Sequence, residues 1–211
     1  KRELDKSNIQ SKFIRGLRVT DEKIINIVES VLIDFNNDIV DSLKKFGTDA
    51  VSIHTKKNNI IKVTPEAKEL GFVGIPSKID NNLIENILNK KQVPIISPLG
   101  LGNDNHPYNI NGDTAAGAIA KSLKSRRLLL MTNVEGVLDK NKKLIDEISS
   151  LEILKMIEDN TITEGMIPKI NTCLDAVNNG VTAVGIIDGR KQHSILFEIF
   201  SDKGSGTLIR K

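Results

Sequence analysis

Aromatic side chains and cysteine are scarce in this sequence. Phe, Tyr and Trp together make up 3% of the 211 residues, and there is no tryptophan. Proteins that bind single-stranded nucleic acid stack bases on aromatic side chains, so the scarcity argues against that class. The one cysteine, Cys173, excludes a disulfide framework and a thiolate metal site, and the three scattered histidines argue against a zinc site. The hydrophobic core must therefore be built from Ile, Leu and Val.

Long apolar runs and a strong charge imbalance are lacking as well. No run approaches the ~20 residues that a bilayer span requires, and no signal peptide is visible. The net charge of +3 comes from 30 basic and 27 acidic residues that are interspersed, which leaves no footprint for nucleic acid. We expect the protein to lie in a reducing compartment, which is the cytoplasm or, for a plastid-encoded chain, the stroma. We expect no membrane or nucleic-acid partner. Because the chain opens KRELDKSNIQ without Met, we also expect the natural N-terminus to lie upstream.

Strand-like and helix-like segments alternate along the chain, without repeats or Pro/Gly-rich linkers. This predicts a single domain over residues 1–211 with helices packed on both faces of a largely parallel sheet. The predicted strands are 50–53, 60–64, 93–100, 127–132 and 181–188. The first predicted helix is capped by Thr20 or Asp21 and has apolar positions from Ile24 to Leu32. The others are 36–46, 81–91, one ending near residue 123, 151–160 with a Ser149–Glu152 capping box, 168–179 and 193–200. Because ligands of such sheets lie beyond the carboxyl ends of the strands, the loops after strands are where chemistry is expected.

The stretch YNINGDTAAG (108–117) follows one of these strands and alternates polar side chains. In an extended segment, residues two apart point the same way, so Asn109, Asn111 and Asp113 can converge on a ligand. The amides can donate to a carboxylate or carbonyl, and Thr114 with the free amides of the next helix forms an anion-friendly terminus. The alternative is ordinary Asx-turn and N-cap chemistry, which the same residue types favour. Spacing alone leaves both interpretations open.

Two cationic residues stand out elsewhere. Lys169 lies beside Pro168 at a predicted helix start, where the helix dipole disfavours a cation, and a bound phosphate would remove that conflict. Arg18 could clamp a carboxylate through two parallel hydrogen bonds. The alternatives are an exposed lysine and an ordinary surface arginine.

Taken together and in order, several segments resemble the amino acid kinase family, and within it the N-acetylglutamate kinases. The matching segments are GLRVTD (16–21), LGFVG (70–74), YNINGDTAAGAIA (108–120), GVLD (136–139), GMIPK (165–169), LDAVNNGVTAVGIIDGR (174–190) and GSGT (204–207). The resemblance implies a three-layer α/β/α sandwich and ATP-dependent phosphorylation of the side-chain carboxylate of N-acetyl-L-glutamate, in arginine biosynthesis. It also implies Mg²⁺ carried by the nucleotide, a homo-oligomer (dimer or hexamer) and a possible PII-type regulatory partner.

The resemblance also assigns roles to residues on the amino-acid side of the site. Arg18 would hold the α-carboxylate of the substrate. Asn109 and Asn111 would contact the amino acid or its acetamido group.

On the nucleotide side, the same resemblance gives Asp113 the role of catalytic aspartate. It would organise lysines around the transferring phosphoryl group rather than act as a base. Lys169 would bind the ATP phosphates and stabilise the transition state, and Thr132 would fall in the nucleotide-side loop.

The sequence departs from the family at several positions. The family begins with a Lys-x-Gly-Gly strand and a His-Gly-Gly-Gly loop, and neither occurs here, so we expect the first strands of the fold to be missing. HTKKN (54–58) replaces a glycine-bearing loop, and Asn133, Glu135, Glu164 and Lys203 replace common residues. Two other hypotheses therefore stay open, a kinase of another N-blocked amino acid such as aminoadipate, and a non-catalytic paralogue that binds a ligand or a regulatory partner.

Overall fold

A computed structural model describes residues 2–7, 9–162, 166–201 and 204–211. The chain divides into two compact units, unit 1 from Lys1 to Ala115 and unit 2 from Ala116 to Lys211. The single domain predicted for residues 1–211 stays a prediction. Glu164 and Lys203, two of the departures from the family pattern, lie outside the described residues.

Unit 1 is built on one long helix. A short helix α1 (Arg2–Lys6) and a two-residue hairpin of β1 (Phe13–Ile14) and β2 (Leu17–Arg18) precede α2 (Glu22–Lys45). The Asp21 carboxylate caps α2 by accepting a hydrogen bond from the Ile24 amide at 2.8 Å, as its position predicted.

The prediction of two separate helices in this segment was wrong. Asn36 is a poor helix former, but it lies on the inner face of α2 and its side chain finds tertiary partners, so it does not end the helix. Its Nδ2 donates to the Ile95 carbonyl at 2.8 Å, and its Oδ1 accepts from the Ser52 hydroxyl at 2.7 Å.

Two sheets accompany this helix. The first pairs β3 (Ala50–Ile53) in parallel with β6 (Val93–Ile96). The second has the order β5-β4-β7-β8. Its strands are β4 (Ile61–Pro65), β5 (Gly74–Ile79), β7 (Leu99–Leu101) and β8 (Pro107–Asn109), and α3 (Asn81–Asn89) follows β5.

The single buried strand predicted for residues 93–100 was wrong, because it is two strands in different sheets. Pro98 has no N–H to donate to a ladder, and β6 ends just before it. Leu99 then turns back so that its amide donates to the Ser97 carbonyl at 2.8 Å. β6 itself is half-buried to exposed rather than buried.

Unit 2 holds a four-stranded sheet of order β10-β12-β11-β9. Helix α4 (Gly112–Ser122) begins in unit 1 and leads into β9 (Arg127–Thr132) of unit 2. The elements that follow are β10 (Glu147–Ser149), α5 (Ser150–Glu158), α6 (Ile167–Asn178), β11 (Ala183–Asp188), α7 (Ser194–Phe200) and β12 (Gly206–Arg210). β9 is parallel to β11 and β10 to β12, whereas β11 and β12 are antiparallel. The predicted α/β class is confirmed, with parallel and antiparallel pairs mixed in the same sheets.

The core of unit 2 surrounds β11, all six residues of which are buried. A strand covered on both faces is expected to be apolar throughout rather than alternating. Ile170 and Cys173 of α6 and Ile153 of α5 are fully buried in this core. The predicted capping box of α5 is confirmed, since the Ser149 amide donates to Glu152 at 2.9 Å and the Glu152 amide donates to the Ser149 hydroxyl at 3.3 Å. No helix in the described part of the chain is long and apolar enough to cross a membrane.

Candidate active site

The segment from Asn109 to Asp113 changes from strand to helix within three residues. β8 ends at Asn109 and α4 begins at Gly112, while Ile110 between them is buried. The Asn111 Oδ1 accepts hydrogen bonds from the Asp113 amide at 2.9 Å and from the Thr114 amide at 3.2 Å. The capping interpretation therefore holds for Asn111.

The same geometry corrects the predicted convergence of three side chains. Alternation places residues two apart on one face only while the backbone stays extended. Asp113 already lies in the first turn of α4, so strand geometry does not align it with Asn109.

Asn109 and Arg18, which are far apart in sequence, line one groove of about 510 Å³ in unit 1. The other lining residues are Glu3 and Leu4 of α1 and Ile27, Val28, Val31 and Leu32 of α2. The groove thus joins one guanidinium, one carboxamide and the Glu3 carboxylate to an apolar wall. The structure brings together these two members of the predicted substrate site.

Local contacts hold the Arg18 guanidinium in place. Its Nη1 donates to the Ser11 hydroxyl, and its Cζ lies 4.8 Å from the centroid of the Phe13 ring. Contact with a ring face is a favourable position for a cation. The hairpin of β1 and β2 therefore presents a guanidinium that is already oriented.

The LGFVG motif fixes the segment that carries Arg18. The Thr20 amide donates to the Leu70 carbonyl at 2.9 Å, and the Phe72 amide donates to the Thr20 carbonyl at 2.7 Å. Gly71 lies between these bonds with φ +66°, and a Cβ there would overlap the Thr20 carbonyl oxygen. Any side chain at this position would push the two segments apart, which gives the glycine of this motif a physical reason.

Lys169 lies in the first turn of α6 in unit 2, next to Pro168, as predicted. The side chain is half-buried, and the neighbouring Ile170 is fully buried in the core. Gly165, the first residue of the GMIPK motif, lies outside the described residues, as does Glu164.

Thr132, the predicted nucleotide-side residue, is the last residue of β9. It is in parallel register with Asp188, the last residue of β11, and its carbonyl accepts from the Gly189 amide at 2.8 Å. The carboxyl ends of two neighbouring parallel strands thus meet at one edge of the unit 2 sheet.

Sequence reasoning missed the pair formed by Asp188 and Arg190 at this edge. The Arg190 Nε and Nη2 donate to the two carboxylate oxygens of the buried Asp188, each at 2.9 Å, and the Arg190 amide donates to Oδ1. These bonds lower the pKa of Asp188 to about 2. The D-x-R spacing inside GIIDGR could have indicated this pair.

Comparisons with known proteins cover most of this chain. The model of the amino acid kinase family matches residues 1–188. The acetylglutamate kinase of Pelagibacter ubique is 56% identical over 204 residues, covering 97% of this chain and 71% of that protein. The acetylglutamate kinase of Methylobacterium nodulans is 43% identical over 224 residues, covering 100% of this chain and 74% of that protein.

Solved structures agree with this fold. The structure of smu.665 from Streptococcus mutans UA159 superposes with a TM-score of 0.84 at 30% identity, over 99% of this chain and 80% of that chain. The N-acetylglutamate synthase of Neisseria gonorrhoeae, complexed with coenzyme A and N-acetyl-glutamate, has a TM-score of 0.89 at 23% identity, over 100% of this chain and 49% of that chain, which shows a shared fold alone. The α/β fold implied by the motifs is confirmed, and the chain belongs to the amino acid kinase family.

Proposed function

We propose that the protein transfers the γ-phosphoryl group of ATP to the side-chain carboxylate of N-acetyl-L-glutamate, a step of arginine biosynthesis. The observation that carries the proposal is the groove shared by Arg18 and Asn109. An N-acylated amino acid offers a carboxylate, an amide and an apolar acyl group, and this groove offers a partner for each. The two acetylglutamate kinases described above, at 56% and 43% identity, support the same substrate.

On the substrate side, the oriented Arg18 guanidinium would bind the α-carboxylate through charge-assisted hydrogen bonds. The Asn109 carboxamide would contact the amino acid or its acetamido group. Asn111 has a narrower role in this proposal than its motif suggests. Its Oδ1 already accepts two amides of α4, so only its Nδ2 would donate to the substrate.

Phosphoryl transfer here needs no general base, because the attacking carboxylate oxygen carries no proton. The bond between the γ-phosphorus and the bridging oxygen of ATP breaks while a bond to the carboxylate oxygen forms, which gives ADP and an acyl phosphate. Catalysis then depends on positioning and on charge. Lys169 would bind the ATP phosphates and offset the charge of the transition state, and Asp113 would orient cationic groups rather than remove a proton.

ATP and Mg²⁺ are the other proposed ligands. Thr132, at the end of β9, would lie on the nucleotide side. Mg²⁺ would arrive chelated by the nucleotide phosphates, which leaves few ligands for the protein to supply. Among the described residues, no group of three or more His, Cys, Asp or Glu side chains could hold a metal ion.

Assembly and location are also part of the proposal. We expect a homo-oligomer, a dimer or hexamer, and a possible PII-type partner, in the cytoplasm. Large apolar side chains exposed on α7, with Phe200 81% and Phe197 58% exposed, support self-association, and the bacterial relatives support the location. Light scattering of the purified protein, with and without a PII-type protein, tests the assembly.

A hydroxamate assay, in which hydroxylamine traps the acyl phosphate, tests the function. We expect product formation that requires both ATP and N-acetylglutamate and falls by about 100-fold in Asp113→Asn and in Lys169→Ala. Matched controls are Asp38→Asn on α2 and Lys155→Ala on α5, both exposed, which should retain the wild-type rate.

Three outcomes would change the assignment. Wild-type rates in both site variants would overturn the roles of Asp113 and Lys169. Faster turnover of N-acetylated aminoadipate than of N-acetylglutamate would favour the related kinase. Calorimetric binding of N-acetylglutamate without any turnover would favour the non-catalytic paralogue.

A further inference from the structure

The Asp188 carboxylate pairs with the Nε and Nη2 side of the Arg190 guanidinium and so holds that side chain in place. Two of the three guanidinium nitrogens, Nε and Nη2, each donate at 2.9 Å to a different carboxylate oxygen. Such a two-bond pairing lies in the plane of the guanidinium, so it fixes the orientation of that plane without using either of its faces. The Arg190 side chain is 64% exposed while its partner is 4% exposed. The result is a flat, oriented group that faces solvent.

This group lies where a ligand is expected in the unit 2 sheet. β9 and β11 run parallel and end together at Thr132 and Asp188. The Gly189 amide binds the Thr132 carbonyl at 2.8 Å, and the Lys191 ammonium lies 3.6 Å from the Glu135 carboxylate. These contacts join the loop after β9 to the loop after β11. Ligands of open α/β sheets bind at this carboxyl edge.

The charges at this edge are balanced. Arg190 is paired with Asp188, and Lys191 with Glu135. These two pairs carry no net charge of their own to attract a triphosphate. An edge of this kind suits the uncharged part of a nucleotide, its base and ribose.

A purine base needs a flat or apolar surface to lie on, and unit 2 has few aromatic candidates. It contains no tyrosine or tryptophan, and its two phenylalanines both lie on α7. Arginine planes stack on nucleic-acid bases as aromatic rings do. Met131, the neighbour of Thr132, is 49% exposed. Its Cε lies beside Gly189, 3.4 Å from the position that a Cβ would take there, so this side chain adds apolar surface to the edge.

We propose that Arg190 is a base-stacking residue, whose guanidinium plane, held by Asp188, packs against the purine ring of the nucleotide. Because Asp188 already fixes the plane, little side-chain freedom is lost when the base binds. The inference rests on the proposed function, in which this edge of unit 2 faces ATP.

Calorimetric binding of ADP and UDP tests the proposal, because the two nucleotides carry the same phosphates on bases of different stacking area. We expect Arg190→Ala to weaken ADP binding by about three- to tenfold and UDP binding by less, so that the preference for ADP falls. Arg190→Lys should not restore the preference, because an ammonium has no plane to stack. Arg126→Ala, an exposed arginine just before the amino end of β9, is the matched control and should bind ADP like the wild type.

Three other results would overturn the inference. An unchanged ADP affinity in Arg190→Ala would show that Arg190 does not contact the base. An equal loss of affinity for ADP and UDP would show that Arg190 contacts the phosphates or the ribose instead. Restoration by Arg190→Lys would make charge, not stacking, the cause. Thermal unfolding of each variant identifies a loss that comes from misfolding, in which case Arg190→Lys alone decides. Normal nucleotide preference without phosphorylation of N-acetylglutamate would instead count against the proposed function and leave this inference standing.

Discussion

Replacement of Asn111 separates the capping role of this residue from a role in substrate binding. Asn111→Ala removes the oxygen that accepts from the Asp113 and Thr114 amides at 2.9 and 3.2 Å. Loss of an N-cap costs about 1 kcal/mol, within a range of about 0.5–2. For a chain of this size, that cost corresponds to a fall in Tm of about 2–4 °C.

Asn111→Asp is the matched variant. It keeps a capping oxygen and adds a negative charge at the amino end of α4, where the helix dipole favours it by about 0.3–1 kcal/mol. The free energy of unfolding should therefore equal or exceed that of the wild type. The same charge would repel the carboxylates of N-acetylglutamate, and the Nδ2 donor is lost, so the KM for that substrate should rise several-fold.

Urea unfolding followed by circular dichroism, together with initial rates in the hydroxamate assay, measures both effects. A stable Asn111→Ala, or an Asn111→Asp as unstable as the alanine variant, would refute the capping argument. A wild-type KM for N-acetylglutamate in Asn111→Asp would refute the substrate contact while leaving the cap intact.

Two further predictions concern buried polar groups. Asn36→Ala should lower the free energy of unfolding in urea by about 1–3 kcal/mol, because it leaves the Ile95 carbonyl without the 2.8 Å bond and opens a gap under α2. Asn37→Ala, at the exposed neighbouring position, should cost under about 1 kcal/mol. Equal losses in the two variants would contradict this prediction. Asp188 has its pKa lowered from 3.8 to about 2, so its ionised form contributes stability that is fully present above pH 3.8 and is lost as the pH falls toward 2. In acid titrations of unfolding, Asp188→Asn should lose stability at neutral pH and converge with the wild type over that window, and parallel curves would rule out the linkage.

Local signals in the sequence predicted many of the element boundaries. Asp21 as a cap, the Ser149–Glu152 capping box and Pro168 in a first helical turn each depend on residues within one turn of the chain. Such interactions join residues that are close together in the sequence, so the sequence alone reveals them.

Boundaries that depend on distant partners were not predictable in this way. Asn36 began the second predicted helix, yet its partners Ser52 and Ile95 lie 16 and 59 positions away and let α2 continue through it. The alternation from Asn109 to Asp113 reads as one extended segment, but the helix-capping bonds of Asn111 intervene.

The candidate site likewise has one feature that depends on distant residues and one that is local. That Arg18 and Asn109 share a groove follows from no spacing rule, and only the resemblance of the motifs to a family predicted it. The pair of Asp188 and Arg190 is local, and its D-x-R spacing was present but not recognised.

The buried Cys173 can serve as a natural probe of the opening of unit 2. It is the only cysteine of the sequence, and it is 0% exposed among the core residues around β11. A thiol reagent can reach it only when that core opens, so the labelling rate measures opening of unit 2 alone, and unit 1 contributes no signal. Site variants can therefore be screened for damage to unit 2 without an engineered probe.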